Sequence, residues 1–406
     1  MSEPLYRNIT DTPVSELLLR RSRVLQILAA EKAKAMIFFN AKAIRYLTRG
    51  AFIPTERPIG MVLRDDGYIA VMVPRLELEH AEHSLVKVDK IVNYGEYPGE
   101  QNPMVDFCEL LKELGLDQGT LFADAPKYPD FWGSRCTPLT SILPSLELVL
   151  KPLLIEELKI RKSAFDLSVI RESARWGNLA HALLQKYTTA GVRELAVASR
   201  ATREATETML ETLGADFVPS LLGMGSASAS AGYRGQIGKN SYFAHAVSTN
   251  AFFKEGDTLV TGAGAHLLEH GSELERVMFV GEPSKEQLFF YQHAVAAQKA
   301  AIAAIKPGIE CAAIDAEMMR YFKEHDLMQY WRHHTGHALG FEGHELPFLD
   351  VNDHTVIEAG MVFSVEPGLY VEGLGGFRLS DTLAVHEDGV EMMTYYPTAI
   401  DKVICY

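Results

Sequence analysis

The chain has 406 residues, and 39 Lys and Arg against 53 Asp and Glu leave it a net charge of −14. With 47% hydrophobic and 23% charged residues it is an ordinary globular composition with room for two domains, which excludes wholesale disorder. The acidic balance argues against a nucleic-acid partner, and no apolar run reaches the roughly 18 residues of a membrane span.

The opening Met1-Ser2-Glu3-Pro4-Leu5-Tyr6 has no basic-then-apolar character, so no secretory leader is expected. Cys108, Cys136, Cys311 and Cys405 are scattered and form no CxxC pair, as expected of reduced thiols in a cytoplasmic protein. Leu17, Leu18, Val24, Leu25, Ile27 and Leu28 fall at helical spacing and predict a helix over 15–32, followed by a buried strand over 35–39. Apolar runs at 60–63 and 68–73 flank Asp65-Asp66-Gly67, a turn signal between two strands. A helix around 105–114 and a strand at 120–123 complete the alternation of a small α/β domain over 1–152.

Residues 153–187 hold the link and the first helices of a second domain, 153–406. Further helices are predicted over 194–213 and 287–305, the latter stopped by Lys306-Pro307-Gly308. Strands are predicted at 258–260, 277–280, 361–365 and 382–385, which makes this an α+β catalytic domain. The Gly/Ala/Ser tract 223–232 lacks the ending of a phosphate loop and is read as a structural loop.

Titratable groups concentrate in this second half. His333-His334-Thr335-Gly336-His337, followed by Phe341-Glu342-Gly343-His344-Glu345-Leu346-Pro347, is the densest cluster. Glu366 ends an apolar strand, where a carboxylate needs a partner. Glu273 and Glu275 share one face of a strand by its two-residue period; the bland alternative is a solvated edge paired with Arg276. His245 is a single histidine in an apolar setting, Phe243-Ala244-His245-Ala246.

The order of His245, Gly264-Ala265, Glu273/Glu275-Arg276, His337, His344-Glu345-Leu346-Pro347 and Glu366-Pro367-Gly368 resembles the pita-bread family. That family includes methionine aminopeptidase, aminopeptidase P, prolidase and creatinase. The resemblance covers nearly the whole chain and implies a creatinase-like N-terminal domain before a pita-bread catalytic domain. It also implies a two-metal centre held by two aspartates, a histidine and two glutamates. His337 and Glu366 keep their places, Glu273 replaces the second aspartate, but Gly262 and Ser380 stand where the first aspartate and last glutamate belong. Neither supplies a ligating carboxylate.

The expectation that follows is a metal-independent, creatinase-like hydrolase without cofactor, cleaving a C–N bond of a small, carboxylated substrate. In it, His245 acts as general base, Glu275 and Glu366 stabilise the tetrahedral centre, and His337 and His344 orient substrate or shuttle protons. Glu273 and Glu345 would bind substrate. Thr55-Glu56-Arg57-Pro58-Ile59 resembles the creatinase segment that reaches into a partner's site, so Arg57 is expected to bind the substrate carboxylate in a homodimer with shared sites. The bland alternative for Arg57 is a surface pair with Glu56 or Asp65. Other readings stay open: an ectoine hydrolase-like enzyme or a lyase, a single metal through His337, Glu366, Glu273 and Glu275, a Xaa-Pro dipeptidase-like enzyme with a degenerate metal site, or an inactive binding module.

Overall fold

A computed structural model describes residues 11–217 and 228–406. By their contacts these form two units, one of residues 11–158 and one of residues 159–217 with 228–406. In the first, the strand Ala35–Phe38 is buried at every position and sits inside a six-stranded sheet. It runs antiparallel to Gly60–Arg64, which pairs in turn with Ile69–Pro74, and parallel to Gly119–Ala123. The Asp65-Asp66-Gly67 turn closes as the sequence predicts: Gly67 takes φ +90°, which only glycine adopts freely, and Arg64 N–H donates to Tyr68 O at 2.9 Å. Helix Pro103–Glu113 is capped by Asn102 and buries Met104, Phe107, Leu110 and Leu111 against the sheet.

The second unit is built on a nine-stranded sheet. Helix Ala164–Tyr187 begins in a reciprocal cap between Ser163 and Asp166 and packs, with helix Glu194–Leu213, over strands Ala229–Gly232 and Gly262–Leu267. Gly177 makes that approach possible, since a Cβ there would lie 2.9 Å from Gly264 Cα. Helices Lys285–Ala304 and Cys311–Glu324 pack against each other, and their apolar faces join Val277, Phe279, Phe363 and Leu383 in one core.

The Gly/Ala/Ser tract departs from expectation where it is described. Residues 218–227 lie outside the described residues, but Ala229–Gly232 is a strand paired with Gly262–Leu267, because small side chains suit a strand crowded by two helices. The four cysteines are buried and free. No described helix is long and apolar enough to cross a membrane.

Candidate active site

Four adjacent strands assemble the site by register alone. Glu275 pairs with Ser380, Ser364 with Thr382, and His337 with Ser364. Alternation then sends Ser380 and Thr382 to one face of strand Ser380–His386 and Asp381 to the other. On the site face, the hydroxyls of Ser364 and Ser380, 2.5 Å apart, both donate to Glu273 Oε1 at 2.7 Å. On the other face Asp381 accepts from Arg276 Nη2 at 2.9 Å. Arg276 is therefore committed to Asp381, and the alternative that paired it with the two glutamates does not hold.

His337 is fully buried, at 0% exposure. Its Nδ1 lies 3.0 Å from Ala338 O, to which it donates, and this orients the ring with Nε2 facing the site. Nε2 makes no aligned hydrogen bond, though it lies 3.4 Å from Glu366 Oε1 and 3.8 Å from Glu273 Oε2. Burial works against a charge on this ring, but Glu366 and Glu273 outweigh it and push its pKa up to about 9. Burial, and then the charge of Glu273, raise Glu366. His344, exposed, stacks on His337.

Glu275 has a different setting. Arg378 Nη2 donates to its Oε1 at 2.9 Å, Arg378 Nε to Oε2, and Arg234 Nη2 to Oε1. Burial would raise this carboxyl, yet the two guanidiniums hold it below the usual carboxylate range. Arg378 also donates to Ala244 O at 3.0 Å and to Tyr370 OH at 2.9 Å, and Tyr370 lies 2.8 Å from His333 Nε2. Sequence reasoning missed Arg378, Arg234, Tyr370 and Ser364. A usable signal existed for the arginines: buried glutamates require cations, and Arg378 stands two residues before Ser380.

Of the expected residues, Glu273, Glu275, His337, His344 and Glu366 come together in groups whose ligand atoms lie within 4.8 Å of one another. His245 belongs to neither group. It is exposed at the rim, next to the Ala244 carbonyl that Arg378 holds, and its charge bears on His344. Glu345 is taken by Lys162 Nζ at 2.8 Å and Lys159 Nζ at 3.6 Å, which neutralise it in the interior, so it is not free to bind substrate. Arg57, in the first unit, bonds Glu96 Oε1 at 2.7 Å and also Glu56.

The implied two-metal centre does not fit these residues. Ser380 spends its hydroxyl on Glu273, and the space beside Gly262 is filled by Arg234. Of the two groups that remain among the described residues, Glu273, Glu275 and Glu366 include a carboxylate already neutralised by two arginines. Glu273, His337 and His344 can hold a single ion, because their ligand atoms converge and the buried Nε2 of His337 is turned toward the carboxylates without an aligned hydrogen bond. Two imidazoles and a carboxylate make a three-ligand set with a position left open.

The sequence pattern of the metallopeptidase family M24 matches residues 168–387, and that of the creatinase/prolidase N-terminal domain matches residues 20–130. An uncharacterized peptidase of Bacillus subtilis, YqhT, is 30% identical over 287 residues, 71% of this chain and 74% of its own. A Xaa-Pro dipeptidase of Pyrococcus furiosus is 30% identical over 242 residues, 59% of this chain and 64% of its own. Among solved structures, a Xaa-Pro dipeptidase from Bacillus anthracis superimposes with a TM-score of 0.75 at 23% identity, over 96% of this chain and 99% of that one, a likeness of fold. The two-domain pita-bread resemblance and the hydrolase class stand. The metal-independent, creatinase-like reading does not: the pattern over the catalytic half is that of metallopeptidases, and the named relatives are peptidases. Two of the family's ligand positions lack a carboxylate, but three side chains able to hold an ion still converge.

Proposed function

Since the chain belongs to the metallopeptidase family M24, we propose that it is a Xaa-Pro dipeptidase-like hydrolase of small peptide substrates with an altered metal site. The observation that carries this reading is the buried Nε2 of His337 aimed at the carboxylates of Glu273 and Glu366, in a chain with Xaa-Pro dipeptidases among its relatives. Glu273, His337 and His344 would hold the ion, which when bound polarises a carbonyl and lowers the pKa of water.

The side chains supply the rest. Glu366, raised by burial and by Glu273, is suited to take a proton from water and return it to the leaving nitrogen. Ser364 and Ser380 fix the orientation of Glu273 through its Oε1 and leave Oε2 turned toward His337. Arg378 holds Glu275 in place and, through Ala244 O, the segment carrying His245 at the rim. The expected two-fold dimer with Arg57 serving a neighbour's site belongs to the same proposal; a monomer in sedimentation would remove Arg57 from it.

The deciding experiment is turnover of a panel of Xaa-Pro dipeptides, creatine and ectoine by the full chain. It is run after chelation and again after adding Mn²⁺, Co²⁺ or Zn²⁺. Metal-restored cleavage of Xaa-Pro substrates is expected. No Xaa-Pro cleavage with any of these ions would sink the reading.

A further inference from the structure

Glu275 is neutralised from two sides by guanidiniums of unlike character. Arg378 is buried like Glu275 itself and is anchored by Ala244 O and Tyr370 OH as well, as a structural side chain would be. Arg234 instead follows the strand Ala229–Gly232 with its backbone at φ +50° and keeps its side chain 51% exposed. It reaches across to Gly262, where a Cβ would lie 3.4 Å from Nη2 and 3.5 Å from both Cζ and Nε. Nη2, Cζ and Nε of the guanidinium thus lie against the place from which a longer side chain at 262 would extend. Gly262 removes a carboxylate and Arg234 brings a positive charge into the same space.

We propose that the guanidinium of Arg234 stands in for one of two metal ions: it neutralises Glu275 in the space Gly262 leaves, and limits the site to one divalent ion on Glu273, His337 and His344. This rests on the preceding reading that the site takes metal at all. Charge counting supports it. With His337 neutral, as a bound ion requires, Glu273, Glu275 and Glu366 bring three negative charges, against two positive ones from Arg234 and Arg378. A single dication then leaves the cluster at +1, and two would leave it at +3 beside the buried Glu275 and Arg378, where uncompensated charge is costly. A guanidinium also accepts no lone pair, so it can compensate charge but not take the place of a Lewis acid. The proposal therefore leaves all Lewis-acid chemistry to one ion, held by two imidazoles and a carboxylate, a set suited to zinc, cobalt or manganese.

The test counts ions without any substrate. Full-length protein, stripped by chelator and dialysed, is titrated with Zn²⁺ and with Mn²⁺ by calorimetry, and bound metal is measured by mass spectrometry. One ion per chain is expected, with affinity lost in His337→Ala. The double variant Arg234→Ala/Gly262→Asp is expected to take a second ion per chain, more weakly held because Ser380 still supplies no carboxylate, while Gly262→Asp alone stays at one because Arg234 pairs with the new carboxylate. Where the double variant does not fold, as judged by circular dichroism, Arg234→Gln and Arg234→Lys replace it. The glutamine should admit a second, weaker ion, and the lysine, which keeps the charge, should not. Two ions or none in the unaltered protein would overturn the proposal, and so would a folded double variant that stays at one, or identical stoichiometry in the glutamine and lysine variants. Because no turnover is read, failure to cleave Xaa-Pro peptides would sink the function reading and leave this count standing.

Discussion

The imidazole of His344 lies flat against that of His337, with ring centroids 3.7 Å apart and planes 12° from parallel. Two rings so placed do not both carry charge cheaply. Glu366 and Glu273 draw a positive charge onto His337, while burial and then His337 itself push His344 down. His344 is thus held toward its neutral form, in which imidazole ligates a metal, whereas an ion must displace the Nε2 proton of His337 to bind there. Loss of a partner even one step removed from a metal costs ~10–100-fold in affinity, so His344→Ala should weaken ion binding by at least roughly a hundredfold. Being exposed, it should change stability by no more than about 0.5 kcal/mol. Calorimetric titration with Zn²⁺ alongside a urea melt reads both.

Arg378→Ala should be the most destabilising change near the site. It strips a buried carboxylate of its two-pronged partner and leaves Tyr370 without its donor. Breaking a buried pair in this way costs about 3–5 kcal/mol. Arg378→Lys should recover part of that, since a point charge remains but the fork does not. Urea denaturation of the two variants gives the comparison; a loss below about 1 kcal/mol for alanine would show that Arg234 alone suffices for Glu275.

The acid limb of stability should report His181. This ring is wholly buried, with Nε2 2.8 Å from Thr261 Oγ1 and its centroid 4.0 Å from that of the Tyr396 ring, tilted by 58°. Burial first, and then the charge of Arg276, push its pKa down to about 3, against an ordinary value of 6.5. A histidine depressed on folding contributes stability that is complete above pH 6.5 and is lost as pH falls through 6.5 toward 3. Its share of the loss is of order 1.4 kcal/mol per pH unit in that window. His181→Gln should be less stable at pH 7 but flatter between pH 6 and 4, as measured by urea midpoints at each pH.

Gly336→Ala tests whether the site depends on close strand packing. A Cβ at Gly336 would collide with the Ser364 carbonyl, which cannot move without breaking the pairing that sets His337 opposite Ser364. Strand separation or loss of the fold is expected, with a destabilisation above about 3 kcal/mol. Gly343→Ala is the control, since open space surrounds that position and little change should follow.

What the sequence made legible follows the range over which each signal acts. Helical spacing and a reciprocal serine cap are local, so helix Glu194–Leu213 falls where the periodicity places it, and Lys285–Ala304 within two residues of its expected start. The order of His337, Glu366, Glu273 and Glu275 was enough to bring them to one site. Their partners were not legible in the same way. Whether Glu275 meets Arg276 or Arg378 depends on which strand lies beside it, and adjacency in sequence pointed to the wrong arginine. Glu345 looked like part of the histidine cluster, yet Lys159 and Lys162, far away in the chain, claim it. The function inferred from two missing ligands failed for the same reason. A count of absent carboxylates says nothing of where Arg234 and His344 lie once the sheet has formed.

Strand Ser380–His386 turns one residue toward the site and the next toward the core. The Ser380 hydroxyl holds the Glu273 carboxylate and the Thr382 hydroxyl holds the Glu273 backbone, while Asp381 between them ties Arg276, Thr394 and Gln298 together. A slip of one residue would exchange the two sets and place an aspartate where the serine stands. Drift at this strand is therefore checked twice, once by what the protein does and once by whether it persists in the cell at all. Its few positions should accordingly accept far fewer replacements in a saturation library than equally buried strands elsewhere in the sheet.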